Sequence, residues 1–274
     1  MAERYSIHGA VIILLPNVQV RALRSGFVMR HINPLAGLSG LLFCLPIHGQ
    51  DAASVKAVVE HAAPLADLTN LNLKLLVPEP PSVNSSITRD ELKELHRLEH
   101  ERTAAQVQAA KADDAEQDIF VFRTVFGSSF TATNLPILAK LSAAIHAEEG
   151  IASTPLKTAF ARLRPYQADS TLHPVCKITT EPNSYPSGHA LSGYMLAFAM
   201  VEIAPEKKSA ILARADEYAH NRLVCGVHYP SDLEASHQLA AVIFGSMSTN
   251  PAFRKDIAAA RDELRARLNV NADK

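Results

Sequence analysis

No stretch of this 274-residue chain is apolar for long enough to cross a membrane. The two longest runs, Leu35–Gly49 and Leu191–Val201, fall short of the roughly 18–20 residues that a spanning helix needs, which excludes a multi-pass architecture. No sign of charge prevails either. The 27 Lys and Arg stand against 28 Asp and Glu, too even a balance for a nucleic-acid binder. Tryptophan is missing and aromatic residues make up only 6%. Internal repeats, low-complexity tracts and alternating strand patterns are all wanting. What is present is 47% hydrophobic residues with 20% charged ones, too apolar a mixture for a disordered chain and enough to bury a proper core.

The first fifty residues differ from the rest, with four arginines against the single Glu3. From Met29 the order is Arg30, His31, an apolar run from Leu35 to Ile47, then polar residues from His48. A basic start, about a dozen apolar residues and a small residue before a polar stretch read as a secretory signal. The expectation is a signal proper at 29–49, an over-extended start at 1–28, and export to the periplasm or beyond. Cys44 would leave with the signal. Cys176 and Cys225 then remain as a disulfide candidate in an oxidising compartment, with two buried free thiols as the alternative.

Residues 50–87 read as an extended arm, because Pro78, Pro80 and Pro81 hold their predecessors out of the helical region. Thr88 and Glu91 predict a capping box opening a helix to about residue 112. Apolar spacing of three and four predicts further helices over 116–126, 135–148, 154–163, 188–203, 205–222, 231–247 and 251–268. The fold class expected is all-α, a single helical bundle over residues 88–274.

Three polar clusters interrupt the apolar periodicity. In the first, Lys157 and Arg164 lie seven apart before Pro165. On one helix they would share a face two turns apart, a point charge and a planar fork both suited to an oxyanion. The second is Pro186-Ser187-Gly188-His189 ahead of an apolar helix. There Ser187 is a natural N-cap, Gly188 lets a ligand approach the backbone, and the helix amino terminus offers free N–H groups to a phosphate. In the third, Arg222 ends a helix, Gly226 turns the chain, and His228 precedes Asp232 by four. Asp232 can hydrogen-bond back to one ring nitrogen and leave the other aimed as a nucleophile.

Taken together, Lys-x6-Arg-Pro, Pro-Ser-Gly-His and Arg-x5-His-x3-Asp resemble the motifs of the PAP2 superfamily, in particular its bacterial class A non-specific acid phosphatases. Pro78-Glu-Pro-Pro81, Phe126-Gly127-Ser128, Cys225-Gly-Val-His228 and Thr249-Asn-Pro-Ala-Phe253 extend the resemblance over roughly residues 75–270. It implies a helical acid phosphatase acting on small soluble phosphomonoesters through a phosphohistidine. His228 would be the nucleophile, Asp232 its orienting partner and His189 the proton donor to the leaving alcohol. Lys157, Arg164, Ser187, Gly188 and Arg222 would bind the phosphoryl oxygens. Neither metal nor cofactor is implied, and a homodimer is common among similar proteins. Asn221 stands where the family usually has Ser, and Ala190 where it usually has Thr, which puts one phosphate donor in doubt.

Other readings of the same residues are a vanadium-dependent haloperoxidase, because vanadate mimics phosphate, and a non-catalytic phosphate-binding protein. The former usually needs a longer chain, and the latter has no use for a His228–Asp232 couple. His96-Arg-Leu-Glu99-His100 matches a zinc-protease pattern, but its density of neighbouring charges is that of a solvated helix.

Overall fold

The computed structural model describes residues 64–268 and the short strands β1 (Ser6–Ile7) and β2 (Ala10–Val11). The chain divides into two units, Met1–Ala57 and Val58–Lys274. In the first, β1 and β2 pair antiparallel, with Ser6 opposite Val11 and Ile7 opposite Ala10. The expected signal at 29–49 lies outside the described residues.

The second unit is all-α. Its helices are α1 (Leu73–Leu76), α2 (Ser86–Glu101), α3 (Ala104–Ala115), α4 (Arg123–Phe126), α5 (Pro136–Phe160), α6 (Pro165–Ala168), α7 (Gly188–Ile203), α8 (Lys208–Val224), α9 (Pro230–Thr249) and α10 (Pro251–Leu268). Among the described residues no helix is long and apolar enough to cross a membrane. The centre is α7, apolar on every side, which is the signature of a helix enclosed by others. Leu191, Met195, Leu196 and Met200 are buried along it, and α5, α8, α9 and α10 pack around it. Gly193 lets α8 come close: a Cβ there would fall 2.6 Å from the Tyr218 ring.

Local structure departs from the sequence pattern in three places. First, Ser85 and not Thr88 caps α2. The Ser85 hydroxyl accepts the Thr88 N–H at 3.1 Å, while the Thr88 hydroxyl donates to the Ser82 carbonyl at 2.8 Å. Glu91, expected to complete a capping box, accepts instead from the Ser231 N–H and from Arg162. Secondly, the helix predicted to run to 112 breaks at Arg102–Thr103. There Thr103 and Gln106 form a reciprocal capping box that starts α3, and the Arg102 guanidinium reaches the carbonyls of Val224 and His173. A strong local cap together with a long-range tether outweighs continuous helical propensity.

The third departure matters most for the site. The two helices expected at 135–148 and 154–163 are one, α5, and Pro155 lies inside it. Pro155 removes the hydrogen bond to the Ile151 carbonyl. Ile151 is 45% exposed, while Ala152, Ser153 and Leu156 beside it are buried. The helix then stops at Phe160, where Ala161 adopts the left-handed region with φ 43°. Arg164 is therefore in extended backbone at the head of α6. The expectation that Lys157 and Arg164 share one helix face is wrong, because the intervening turn swings Arg162 and Arg164 inward to their buried partners.

Candidate active site

The corner that holds His228 is built by the turn between α8 and α9. Gly226 has φ 74°, a conformation that glycine adopts without strain, and the turn carries His228 into the interior. His228 is 2% exposed and Asp232 fully buried. Asp232 sits in the first turn of α9, four residues on, with Oδ2 3.0 Å from His228 Nδ1. The same carboxylate accepts the Tyr229 N–H at 2.9 Å, the Ser184 hydroxyl at 2.6 Å and Arg162 Nη1 at 2.6 Å. Burial raises the Asp232 carboxyl, and the Arg162 charge and these donors pull the other way. A carboxylate only accepts, so Nδ1 carries the imidazole proton and Nε2 keeps its lone pair. That nitrogen lies 2.8 Å from Arg164 Nη1. Burial above all, then the charges of Arg164, Arg222 and Lys157, hold His228 well below the usual imidazole range. It is neutral and basic at Nε2.

Opposite His228 a cleft of about 550 Å³ opens, lined by Lys157, Arg164, Gly188, His189 and Arg222 among others. Each wall has its own cause. Lys157 comes from the last turn of α5, its ammonium lowered by burial and supported by Glu149. The Asn183 amide oxygen holds Arg164, accepting from Nε at 3.0 Å and Nη2 at 2.9 Å. Arg222 is 3% exposed and pairs through Nη1 with Asp114 at 2.7 Å. Its Nε is buried and has no partner. Such an orphaned charged donor costs free energy unless an anion takes it.

At the α7 entrance Ser187 is the N-cap, its hydroxyl accepting the Ala190 N–H at 3.4 Å. The Ser187 carbonyl accepts from Ser236 at 2.9 Å. Ser187 and Asp232 thus sit behind the lining, whereas the other six residues expected at the site face the cleft. His189 Nε2 lies 3.3 Å from the Asp114 carbonyl, and its ring stacks on Tyr218 at 6.3 Å between centroids. Burial first, then Arg222, push His189 down to about 3, so its ring is neutral while the cleft is empty of anions.

Several residues of the site carry no signal in the polar clusters. Asp114, at the end of α3, bridges Arg222 and His189, and its carboxyl is lowered: burial raises it, but the Lys177 N–H and Arg222 outweigh that. Nothing in the charged run around it marks it out. Arg162 lies within Lys-x6-Arg-Pro, and Asn183 and Ser184 shortly precede Pro-Ser-Gly-His; they orient Asp232 or Arg164, and adjacency was the available hint. Asn221, one of the two departures, donates to Asp113 at 2.7 Å and so faces away from the cleft lining. Ala190 is buried in the helix start.

Cys176 and Cys225 form a disulfide, with Cα atoms 5.2 Å apart. It pins the loop bearing Lys177, Ile178 and Thr179, one wall of the cleft, to the turn before His228, and the Val175 N–H bonds the Cys225 carbonyl beside it at 3.0 Å. These two sulfurs with Asp114 are the one metal-like cluster among the described residues, and the sulfurs are already bonded to each other. His96 and Glu99 do not converge on a common point. His96 bonds Asp169 at 2.9 Å and Glu99 bonds His173 at 2.9 Å, tying α2 to the loop after α6.

A mostly helical unit thus gathers the residues of all three motifs, a buried imidazole with its carboxylate and three cations, around one cleft. Comparison with known proteins agrees. Residues 138–255 match the PAP2 superfamily model. A non-specific acid phosphatase of Providencia stuartii is 30% identical over 69% of this chain and 79% of its own length. One from Salmonella typhimurium is 28% identical over 84% of this chain and 94% of its own. The chain belongs to the PAP2 superfamily, alongside its non-specific acid phosphatases.

Proposed function

We propose that this protein is an exported acid phosphatase that hydrolyses small phosphomonoesters through a phosphohistidine, without a metal. The observation that carries the reading is the buried, unpartnered Arg222 Nε across the cleft from an imidazole whose Nε2 lone pair is free of protons. One is a donor suited to an oxyanion and the other a nucleophile for the atom that the oxyanion belongs to.

The chemistry follows from the positions. The phosphoryl oxygens take Lys157, Arg164, Arg222 and the amino terminus of α7 at Gly188. His228 Nε2 gives its electron pair to phosphorus as the ester P–O bond breaks, and the leaving oxygen takes a proton from His189. The imidazolium formed at His228 is stabilised by Asp232. Water then gives a proton back to His189 and attacks phosphorus, and the P–N bond returns its electrons to His228. Phosphoryl transfer asks chiefly for positioning and charge stabilisation, which three cations and a helix terminus supply.

The acid optimum has a specific origin. The donor's proton does not reside on His189 in the empty site, where the imidazole is held near 3. It arrives on the substrate monoanion and passes to His189 once the dianion lies between Arg222 and Lys157, offsetting the charges that depressed the ring. A phosphate monoester loses its second proton near pH ~6, so kcat/KM for a chromogenic aryl phosphate should fall about tenfold per pH unit above that point. Excess chelator should leave the profile unchanged. A flat profile to pH 8, or loss of turnover on chelation, would contradict the mechanism.

Export is the second part of the reading. Edman sequencing of the protein recovered from outside the cytoplasm should begin near Gln50 or Asp51. Soluble, active protein that still carries residue 29 would speak against a cleaved signal.

A further inference from the structure

Glu149 is out of place in a phosphate site. It lies on α5 two turns before Lys157 and lines the cleft with it. Its Oε1 accepts the Ser153 hydroxyl at 2.6 Å, which fixes the side chain from one turn further along. The approach to α7 is close: a Cβ at Gly188 would fall 2.3 Å from Glu149 Oε1 and 3.2 Å from Lys157 Nζ. A carboxylate and an ammonium therefore both approach the helix terminus that would seat a phosphoryl group. Beside a dianion that carboxylate is repulsive, so it weakens phosphate binding unless it does something for the rest of the substrate.

Its second neighbourhood suggests what. Glu149, Lys157 and Asn183 are shared between the cleft and an adjoining hollow of about 530 Å³. That hollow is lined further by Thr154, Thr158 and Glu181. Among the described residues, no cation lines it apart from Lys157, which belongs to both spaces. The phosphoryl end of the site is thus donor-rich and positive, and the space next to it is acceptor-rich and negative.

We propose that Glu149 is a specificity-determining residue that selects the leaving alcohol. It accepts hydrogen bonds from uncharged, hydroxyl-bearing alcohols of the glycerol or sugar type. Leaving groups that carry an anion of their own are turned away by the same carboxylate. The inference rests on the phosphatase reading and assigns the adjoining hollow as the leaving-group side.

Glycerol 1-phosphate and 3-phosphoglycerate test it, because they differ chiefly in a hydroxymethyl group against a carboxylate at the far end. The wild-type protein should favour the former in kcat/KM by tenfold or more. Glu149→Gln keeps the shape and removes the charge, so the preference should shrink about tenfold, mainly through a lower KM for 3-phosphoglycerate. Exposed Glu181→Gln should shrink it less. If Glu149→Gln does not fold, the wild-type ratio at 0.01 M and 1 M salt replaces it, since screening over ~3 Å at the higher value erodes a charge-based preference and spares a steric one. An unchanged ratio in the variant, an unchanged ratio across salt, or no wild-type preference would each overturn the assignment. Failure of the wild type to hydrolyse either ester would be a different result. It would remove the phosphatase reading itself and this inference with it.

Discussion

Replacing His228 with alanine should abolish turnover of every phosphate ester, alkyl or aryl, by on the order of 10⁴-fold or more, the scale seen when a covalent nucleophile is removed. The size follows from the geometry. Nε2 is the nitrogen that bonds to phosphorus in the proposed reaction, and His228 is the cleft imidazole whose other nitrogen is held by a buried carboxylate, Asp232 Oδ2 at 3.0 Å. The loss should be one of kcat with substrate binding largely kept, because Lys157, Arg164 and Arg222 remain. Acid-labile phosphate trapped by rapid quenching should be absent from the variant and present in the wild type. A variant that still forms a phosphoenzyme would give the nucleophilic role to another residue.

The second large effect separates the two imidazoles by the kind of work each does. His189→Ala removes a proton donor and leaves the nucleophile in place. For poor leaving groups such as alkyl alcohols, phosphoenzyme formation should slow by about 10²–10⁴-fold, the usual worth of one positioned proton. A nitrophenol leaves without help, so its loss should be much smaller. The phosphoenzyme that the variant does form should persist, since water has lost its base. Rapid-quench measurement of formation and decay with both ester types checks this. Equal losses for alkyl and aryl esters would mean that His189 acts by binding and not by proton transfer.

The helical architecture was largely legible in the sequence, because α7, α9 and α10 have apolar spacing and terminal signals that agree with one another. Ser187, Gly188, Pro230 and Gly226 mark their boundaries through local chemistry, and local chemistry is what a sequence displays. The boundary of α5 was not legible. Pro155 ordinarily opens a helix, and only the burial of Leu156 and Ala152 against the rest of the bundle carries the helix through it. The cap of α2 was misplaced at Thr88, because Arg162 and the Ser231 N–H take the Glu91 carboxylate that a capping box would need. In the candidate site, the residues projecting from motif turns were visible and those that brace them were not. Asp114 meets Arg222 across 108 residues of chain, and no spacing rule connects them. Glu149 was hidden for a similar reason: on α5 it reads as one more charge on a helix, and its meaning comes from Gly188, which the fold sets against it.

The contact between Arg164 and His228 has a consequence for how the resting protein behaves. The guanidinium donates into the same lone pair that attacks phosphorus in the proposed reaction, so until substrate arrives the proposed nucleophile is masked by one of the groups proposed to bind its target. A phosphoryl dianion competes for that guanidinium far better than water does, because the pairing is charge-assisted. Arrival of the substrate and release of the lone pair are then a single event. Solvent and uncharged electrophiles, which offer Arg164 nothing, meet a histidine that is still covered. Selectivity for phosphate therefore begins at the reactive atom itself, before any side pocket has examined the alcohol.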